Sequence, residues 1–333
     1  MDGVTAMLVF VVLLAVAFDY VNGFHDTANA MATSVATRAL APRYAILMAA
    51  AFNFIGAFAG TAVATTIGKG LVNDATTTQV VIAAALIGAI VWNLITWQQG
   101  LPSSSSHALI GGLLGATIVA AGTGALKVDG IVKKVLIPMF TSPVLGFLIS
   151  FALMLTLYWV FRGSRRKPMA VRFRRLQVFS AAFMAFAHGS NDAQKTMGII
   201  TLALVTARVI PDFVVPVWVI VVSATALSLG TAVGGWRIMR TMGQRVAKLE
   251  PVHGFAAETT AASILLATAH FGMPVSTTQV ISGAIMGVGS SQGLRGVRWG
   301  VARRILIAWV LTIPSAGILA AVAWLALTAI GLS

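Results

Sequence analysis

The stretch that decides the fold is NGFHDTAN, from Asn22 to Asn29, a polar run inside a segment that is otherwise apolar. A related stretch, HGSNDAQK, recurs from His188 to Lys195. A second pair of motifs follows in the same order, GLPSSSSH from Gly100 to His107 and GMPVSTTQ from Gly272 to Gln279. The chain therefore consists of two copies of one unit.

Composition places both copies in a lipid bilayer. The 333 residues are 58% hydrophobic and 10% charged, with a mean hydropathy of +0.91, which is too apolar for a soluble domain of this length. Several apolar runs reach the roughly 20 residues that a spanning helix needs. The net charge of +14 does not indicate a nucleic-acid partner, because the cations lie between apolar segments, where they orient membrane helices. We predict an all-α polytopic membrane protein in contact with membrane lipid.

Each copy is expected to contain a helix interrupted by its polar motif, a spanning helix, a hairpin with a Pro-Ser/Thr tip, and a closing helix. The first copy takes residues 1–161 and the second 175–333, joined by a basic linker over 162–174. The number of crossings per copy is odd whether the hairpin helices span or re-enter, so the second copy is inverted relative to the first. The prediction is two inverted-topology repeats with broken helices and two Pro-Ser/Thr helical hairpins.

The distribution of Lys and Arg supports the inversion and gives an orientation. Seventeen of these residues fall on one predicted side, seven of them within 162–175, and five fall on the other. Basic loops of membrane proteins face the cytoplasm. We therefore expect a multi-pass protein of the cell inner membrane with both termini outside.

Two carboxylates are predicted to lie inside the bilayer, those of Asp26 and Asp192. A carboxylate is costly there and marks an ion path or a proton relay. Gly23 and Gly189 precede them and are expected to let the helix break, which would free backbone carbonyls for ligands. The alternative is a polar clasp between two helices.

The residues around these carboxylates are assigned to cation or proton coupling. His25 has an ordinary pKa near neutrality, which suits proton exchange. Lys195 lies on the same helix face as Asp192 and either neutralises it or supplies charge to an anion, and both interpretations stay open. Glu258, on the second hairpin, is either a proton or cation site or an interfacial residue. The full set is Asn22, His25, Asp26, Asn29, Asn191, Asp192, Lys195 and Glu258.

The hairpin tips are predicted to bind an anion. Pro102 and Pro274 are expected to end one helix of each hairpin, and a run of hydroxyl side chains begins the next helix. A helix N-terminus offers unpaired N–H donors and a positive dipole end, so each tip is an anion cradle that needs no full positive charge. The alternative is ordinary helix capping. The predicted substrate-binding residues are Ser103, Ser104, Ser105, Ser106, Ser276, Thr277 and Thr278.

Residues 22–29 and 188–198, with the paired tips, closely resemble the inorganic phosphate transporter (Pit) family over nearly the whole chain. In that family the duplicated signature is Gly-Ala-Asn-Asp-Val-Ala-Asn, whose two Asp residues match Asp26 and Asp192, and the hairpin hydroxyls hold phosphate. His25 stands where the signature has Asn, a variant typical of bacterial low-affinity members. The resemblance implies a proton-coupled symporter of inorganic phosphate, carried as a neutral complex with a divalent metal.

Several alternatives stay open at this point. A sodium-coupled phosphate symporter and a sulfate permease belong to the same superfamily. Hydrogen phosphate carries an O–H that needs an acceptor and sulfate does not, so an ionised Asp26 or Asp192 favours phosphate. A passive anion channel would need a pore lined by fixed positive charge.

An enzyme is not expected. The sequence has no H-E-x-x-H motif, no nucleophile–base pair and no cofactor fingerprint, and without Cys it has no thiolate. We expect no cofactor, with H⁺ or Na⁺ co-transported and a divalent metal accompanying phosphate. Whether the protein is a homo-oligomer is left open.

Overall fold

The computed structural model describes residues 3–73 and 76–332, and within them it contains helices and two isolated bridges but no regular strand. The first half contains α1 (Gly3–Ala36), α2 (Pro42–Gly56), α3 (Ala62–Lys69), α4 (Gln79–Gln99), α5 (Ser105–Ala121), α6 (Val128–Ile131) and α7 (Ile137–Val160). The second half contains α8 (Arg166–Thr206), α9 (Val217–Val233), α10 (Trp236–Arg240), α11 (Pro251–His270), α12 (Thr277–Ser290) and α13 (Trp299–Ala329). The prediction of an all-α protein is confirmed.

Long apolar helices place the protein in a membrane. Among the described residues, α1, α4, the continuous α6–α7 segment and α13 are long and apolar enough to cross a bilayer. The bent pair of α9 with α10 and the turn that follows, which ends at Arg245, would be a fifth span if it counts as one. The protein is therefore a multi-pass membrane protein.

The two halves make reciprocal contacts. α1 packs against α9 while α8 packs against α2, and α5 packs against α13 while α12 packs against α7. Each hairpin contributes to its own apolar core. The core around α4 and α5 includes the C-terminal half of α8, and the core around α11 and α12 includes its N-terminal half. Such reciprocity is consistent with the predicted inverted repeats. The division at 161 and 175 stays a prediction, and its outermost positions, 1–2 and 333, lie outside the described residues.

The predicted breaks at the two polar motifs are wrong. α1 and α8 both run unbroken through their motifs, so the backbone carbonyls there are not freed. Gly23 and Gly189 instead allow close helix packing. A Cβ on Gly23 would lie 2.2 Å from the carbonyl oxygen of Leu227 in α9, and one on Gly189 would lie 2.2 Å from that of Asn53 in α2.

Breaks occur at another place in each half. The single spanning helix expected after the first motif is divided into α2 and α3, and α9 meets α10 at 60°. Near the first break the Val63 N–H, in the first turn of α3, donates to Gln194 Oε1 of α8 at 2.8 Å, which satisfies a donor that a helix start leaves free. At the second break Gly234 has a φ of +80°, which glycine adopts without strain. α8 begins inside the predicted linker, so most of 162–174 is helical.

Both predicted hairpins are present, but glycine rather than proline marks the end of their first helices. Gly100 follows α4 with a φ of +65°, and Gly272 follows α11 with a φ of +63°. Each Pro lies two residues further on, in the tip. Ser104 and Ser276 cap the returning helices, accepting hydrogen bonds from the third backbone N–H of α5 at 3.1 Å and of α12 at 3.2 Å.

Candidate functional site

The candidate site lies where the polar motifs of α1 and α8 meet the tips of both hairpins. All fifteen predicted site residues are at most 2% exposed. Charges buried this deeply act strongly on one another because little water screens them. The site is closed to solvent in this conformation.

The carboxylate of Asp26 contacts His25, which in turn contacts the first tip. His25 Nδ1 lies 2.6 Å from Asp26 Oδ1, and His25 Nε2 lies 3.1 Å from Thr96 Oγ1 of α4. The hydroxyls of Ser103 and Ser105 each lie 3.4 Å from one ring nitrogen of His25. The imidazole therefore links the carboxylate of α1 to the hydroxyls of the first hairpin.

The carboxylate of Asp192 faces a different set of groups. Lys195 Nζ donates to Asp192 Oδ1 and to Ser106 Oγ of the first tip. It also donates to the carbonyl oxygen of Val275 in the second tip at 3.3 Å. His188 Nε2 lies 3.1 Å from Asp192 Oδ2. The ammonium group thus neutralises Asp192 while reaching both tips, so the two interpretations of Lys195 are compatible.

Two adjacent hydroxyls of the second tip connect the halves. Thr277 Oγ1 donates to Asp192 Oδ2 at 3.3 Å, and Thr278 Oγ1 donates to Asp26 Oδ1 at 3.5 Å. Asn29 Nδ2 donates to both hydroxyls, at 3.2 and 2.9 Å. A donor chain therefore runs from one amide through two threonines to both carboxylates.

Three side chains of this cluster could hold a divalent cation. Ligand atoms of Asp26, His188 and Asp192 all lie within 4.8 Å of one another. Two carboxylate oxygens and an imidazole nitrogen suit a divalent transition metal. Lys195 contacts Oδ1 of Asp192, and Oδ2 is the oxygen turned toward His188. The donor set therefore fits a divalent metal ion.

Glu258 stands apart from this cluster. It accepts hydrogen bonds from Thr33 Oγ1, from Ser180 Oγ and, at 3.1 Å, from Gln177 Nε2. Thr33 follows Asp26 by seven residues on α1, which is roughly 10 Å along the helix axis. Glu258 is thus a fully hydrogen-bonded acid on one side of the site, and its part in coupling stays a prediction.

The remaining predicted residues fall into two groups. Ser104 and Ser276 accept capping bonds, so the capping alternative describes their side chains. Asn22 Oδ1 and both side-chain atoms of Asn191 are buried without a hydrogen-bond partner. These amides are therefore open to a ligand.

Two buried polar residues near the site, Thr96 and Asp19, were not predicted from the sequence. Thr96 contacts His25, but a threonine in an apolar helix carries no signal of its own. Asp19 is a completely buried carboxylate of α1, seven residues before Asp26. Its signal was available, because an acid in a spanning segment is unusual wherever it occurs.

Comparisons with known proteins show which family the chain resembles. A family model described as "Phosphate transporter family" matches residues 22–172 and again residues 162–320. A Bacillus subtilis (strain 168) protein described as "Probable low-affinity inorganic phosphate transporter" is 47% identical over 333 residues, 99% of this chain and 100% of the relative. A Rhizobium meliloti (strain 1021) protein with the same description is 47% identical over 332 residues, 98% of each chain. The solved structure described as "The sodium-dependent phosphate transporter" matches with a TM-score of 0.89 at 26% identity, over 98% of this chain and 100% of that one.

Proposed function

The chain belongs to the phosphate transporter family, and on that premise we propose that it is a secondary active symporter carrying inorganic phosphate with protons across the cell inner membrane. It is a transporter and not an enzyme. The observation that carries the proposal is the meeting of two buried carboxylates, Asp26 and Asp192, with two hydroxyl-lined helix N-termini.

The two tips support binding of a tetrahedral oxyanion. α5 and α12 begin at the tips, and each helix start offers N–H donors and the positive end of the helix dipole. Ser106 Oγ lies 3.5 Å from the carbonyl oxygen of Val275, so the tips are in contact. Lys195 adds one positive charge that reaches both of them.

The carboxylates favour phosphate over sulfate. Hydrogen phosphate can donate its O–H to Asp26 or Asp192, whereas sulfate would place unprotonated oxygens against the same groups. A divalent metal held by Asp26, His188 and Asp192 would offset the negative charge of the anion. We therefore propose that phosphate is carried as a neutral metal complex.

Proton coupling is supported by the contact between His25 and Asp26. An imidazole can exchange a proton near neutral pH, and here it lies 2.6 Å from Asp26 Oδ1, which it shields from a sodium ion. Sodium coupling is the second candidate, because the solved relative is described as sodium-dependent. The basic loops support an orientation with both termini outside.

The test is transport by the purified protein in liposomes. Labelled phosphate should accumulate above its outside concentration when an inwardly directed pH gradient is imposed without sodium. A strict sodium requirement would overturn the coupling, and purely downhill flux would indicate a channel. Competition by sulfate that equals competition by arsenate would overturn the selectivity for phosphate.

A further inference from the structure

Asp19 is a buried acid that the proposed site does not use. Its exposed fraction is 0%, and neither carboxylate oxygen has a hydrogen-bond partner. It lies two helical turns before Asp26, roughly 10 Å along α1. An ionised carboxylate in such a position depends on nearby positive charge, so the group can bind a proton or another cation when that charge is drawn away.

Two further unpartnered polar atoms lie beside this carboxyl group. Asn22 Oδ1 is one turn further along α1, and Thr196 Oγ1 projects from α8. Both residues are at most 1% exposed. A protonated Asp19 can donate to Asn22 Oδ1 while the Thr196 hydroxyl donates to its second oxygen. One proton therefore satisfies all three side chains.

A metal ion fits these groups less well. Hard cations take about six oxygen ligands, and the three side chains supply fewer. A proton needs a single donor–acceptor pair.

The charges that act on Asp19 belong to α8. They are the carboxylate of Asp192 and the ammonium group of Lys195, which are bound to each other and largely cancel. α4 and α9 also pack against α1, but neither contains a titratable residue. The net charge of Asp192 and Lys195 therefore sets the electrostatic surroundings of Asp19.

This arrangement couples the proton to the anion. A phosphate oxygen at the tips that accepts a hydrogen bond from Lys195 would leave Asp192 less neutralised, whatever the net charge of the transported complex. The surroundings of Asp19 would then be more negative, which favours its protonated form. By linkage, a proton on Asp19 strengthens anion binding by the same factor.

We propose that Asp19, with Asn22 and Thr196, is a second proton-binding site of the transporter, occupied together with phosphate. The inference rests on the proposed function, because it assumes proton-coupled phosphate transport. His25 and Asp19 then lie on either side of Asn22 along α1, one at the central site and one beyond it.

The experiment compares Asp19→Asn with the wild type and with Asp129→Asn, in which an exposed acid paired with Lys133 is removed. Proton uptake on phosphate binding is measured in lightly buffered detergent solution with a pH-indicator dye. Asp19→Asn should take up one proton fewer per phosphate than the other two proteins. In liposomes, its limiting phosphate accumulation should fall about tenfold for each unit of imposed pH gradient.

The outcomes separate the two proposals. Equal proton uptake and equal accumulation by Asp19→Asn and wild type would overturn the second site. A wild type that takes up no protons and ignores the pH gradient would overturn the proposed function itself. If Asp19→Asn does not insert, Thr196→Val decides, because loss of its donor should move the midpoint of proton uptake to higher pH. An unchanged midpoint would count against the proposal.

Discussion

The two copies of the duplicated motif hold equivalent acids that contact different side chains. In the first half, Asp26 faces the imidazole of His25, a side chain that can donate or accept a proton. In the second half, Asp192 is bound to the ammonium group of Lys195. Duplication thus supplied two acids at one site with different partners: Asp26 contacts an imidazole, whereas Asp192 contacts both an imidazole and an ammonium group.

The largest expected effect is on uptake, and a difference in stability distinguishes the variants of the two acids. Asp26→Asn and Asp192→Asn should each abolish concentrative uptake while both proteins still insert. Asp192→Asn should also lower the free energy of unfolding by about 3 to 5 kcal/mol, because it leaves Lys195 as an unpaired buried cation. Asp26→Asn leaves no such charge. Uptake assays and thermal unfolding in detergent check this, and equal stability of the two variants would contradict the asymmetry.

A double variant tests whether the Asp192–Lys195 ion pair is the cause of the difference in stability. Lys195→Met alone should weaken phosphate binding by about 1.5 to 3 kcal/mol, since it removes a charged donor that reaches both tips. Combined with Asp192→Asn, it should restore most of the stability that the single Asp192→Asn change loses, because no charge is then left unpaired. Binding is measured by calorimetry. A double variant no more stable than Asp192→Asn would show that the pair is not the source of the effect.

The next effect concerns the tips. Thr277→Ala should weaken phosphate binding by about 1 to 3 kcal/mol, because it removes a donor next to Asp192. Ser104→Ala is the matched control, since its hydroxyl oxygen caps α5. It should cost about 0.5 to 2 kcal/mol of stability and change phosphate affinity less. The dissociation constants for phosphate are measured for both variants. A loss of affinity in Ser104→Ala as large as in Thr277→Ala would contradict the assignment of Ser104 to helix capping.

The smallest change in affinity is expected for His25→Asn. The amide keeps a polar group beside Asp26 but cannot exchange a proton, so phosphate should still bind while uptake loses much of its response to pH. Counterflow of labelled phosphate at several pH values measures both properties. A variant as sensitive to the pH gradient as the wild type would place the proton elsewhere, with Glu258 and the two Asp residues as the next groups to examine.

The helical membrane architecture and the two hairpins could be predicted from the amino-acid sequence. Apolar length predicted the membrane, the repeated motifs predicted two copies, and Pro beside Ser or Thr predicted both tips. These features are local, because the burial of a helix and the positions of its ends are encoded in the helix's own residues. The acids Asp26 and Asp192 and the hydroxyls of the tips were found for the same reason.

Only the tertiary structure decided the partners. Lys195 and Ser106 are 89 residues apart in the chain, and Asn29 and Thr278 are 249 apart, yet each pair is hydrogen-bonded. Such contacts depend on how helices rotate and cross, which residue spacing along one helix does not encode. Helix crossing also explains why α1 and α8 are continuous. Gly23 and Gly189 serve close packing against neighbouring helices and do not break their own helices. Helix packing also left Glu258 fully hydrogen-bonded on one side of the site and Asp19 without a partner on the other.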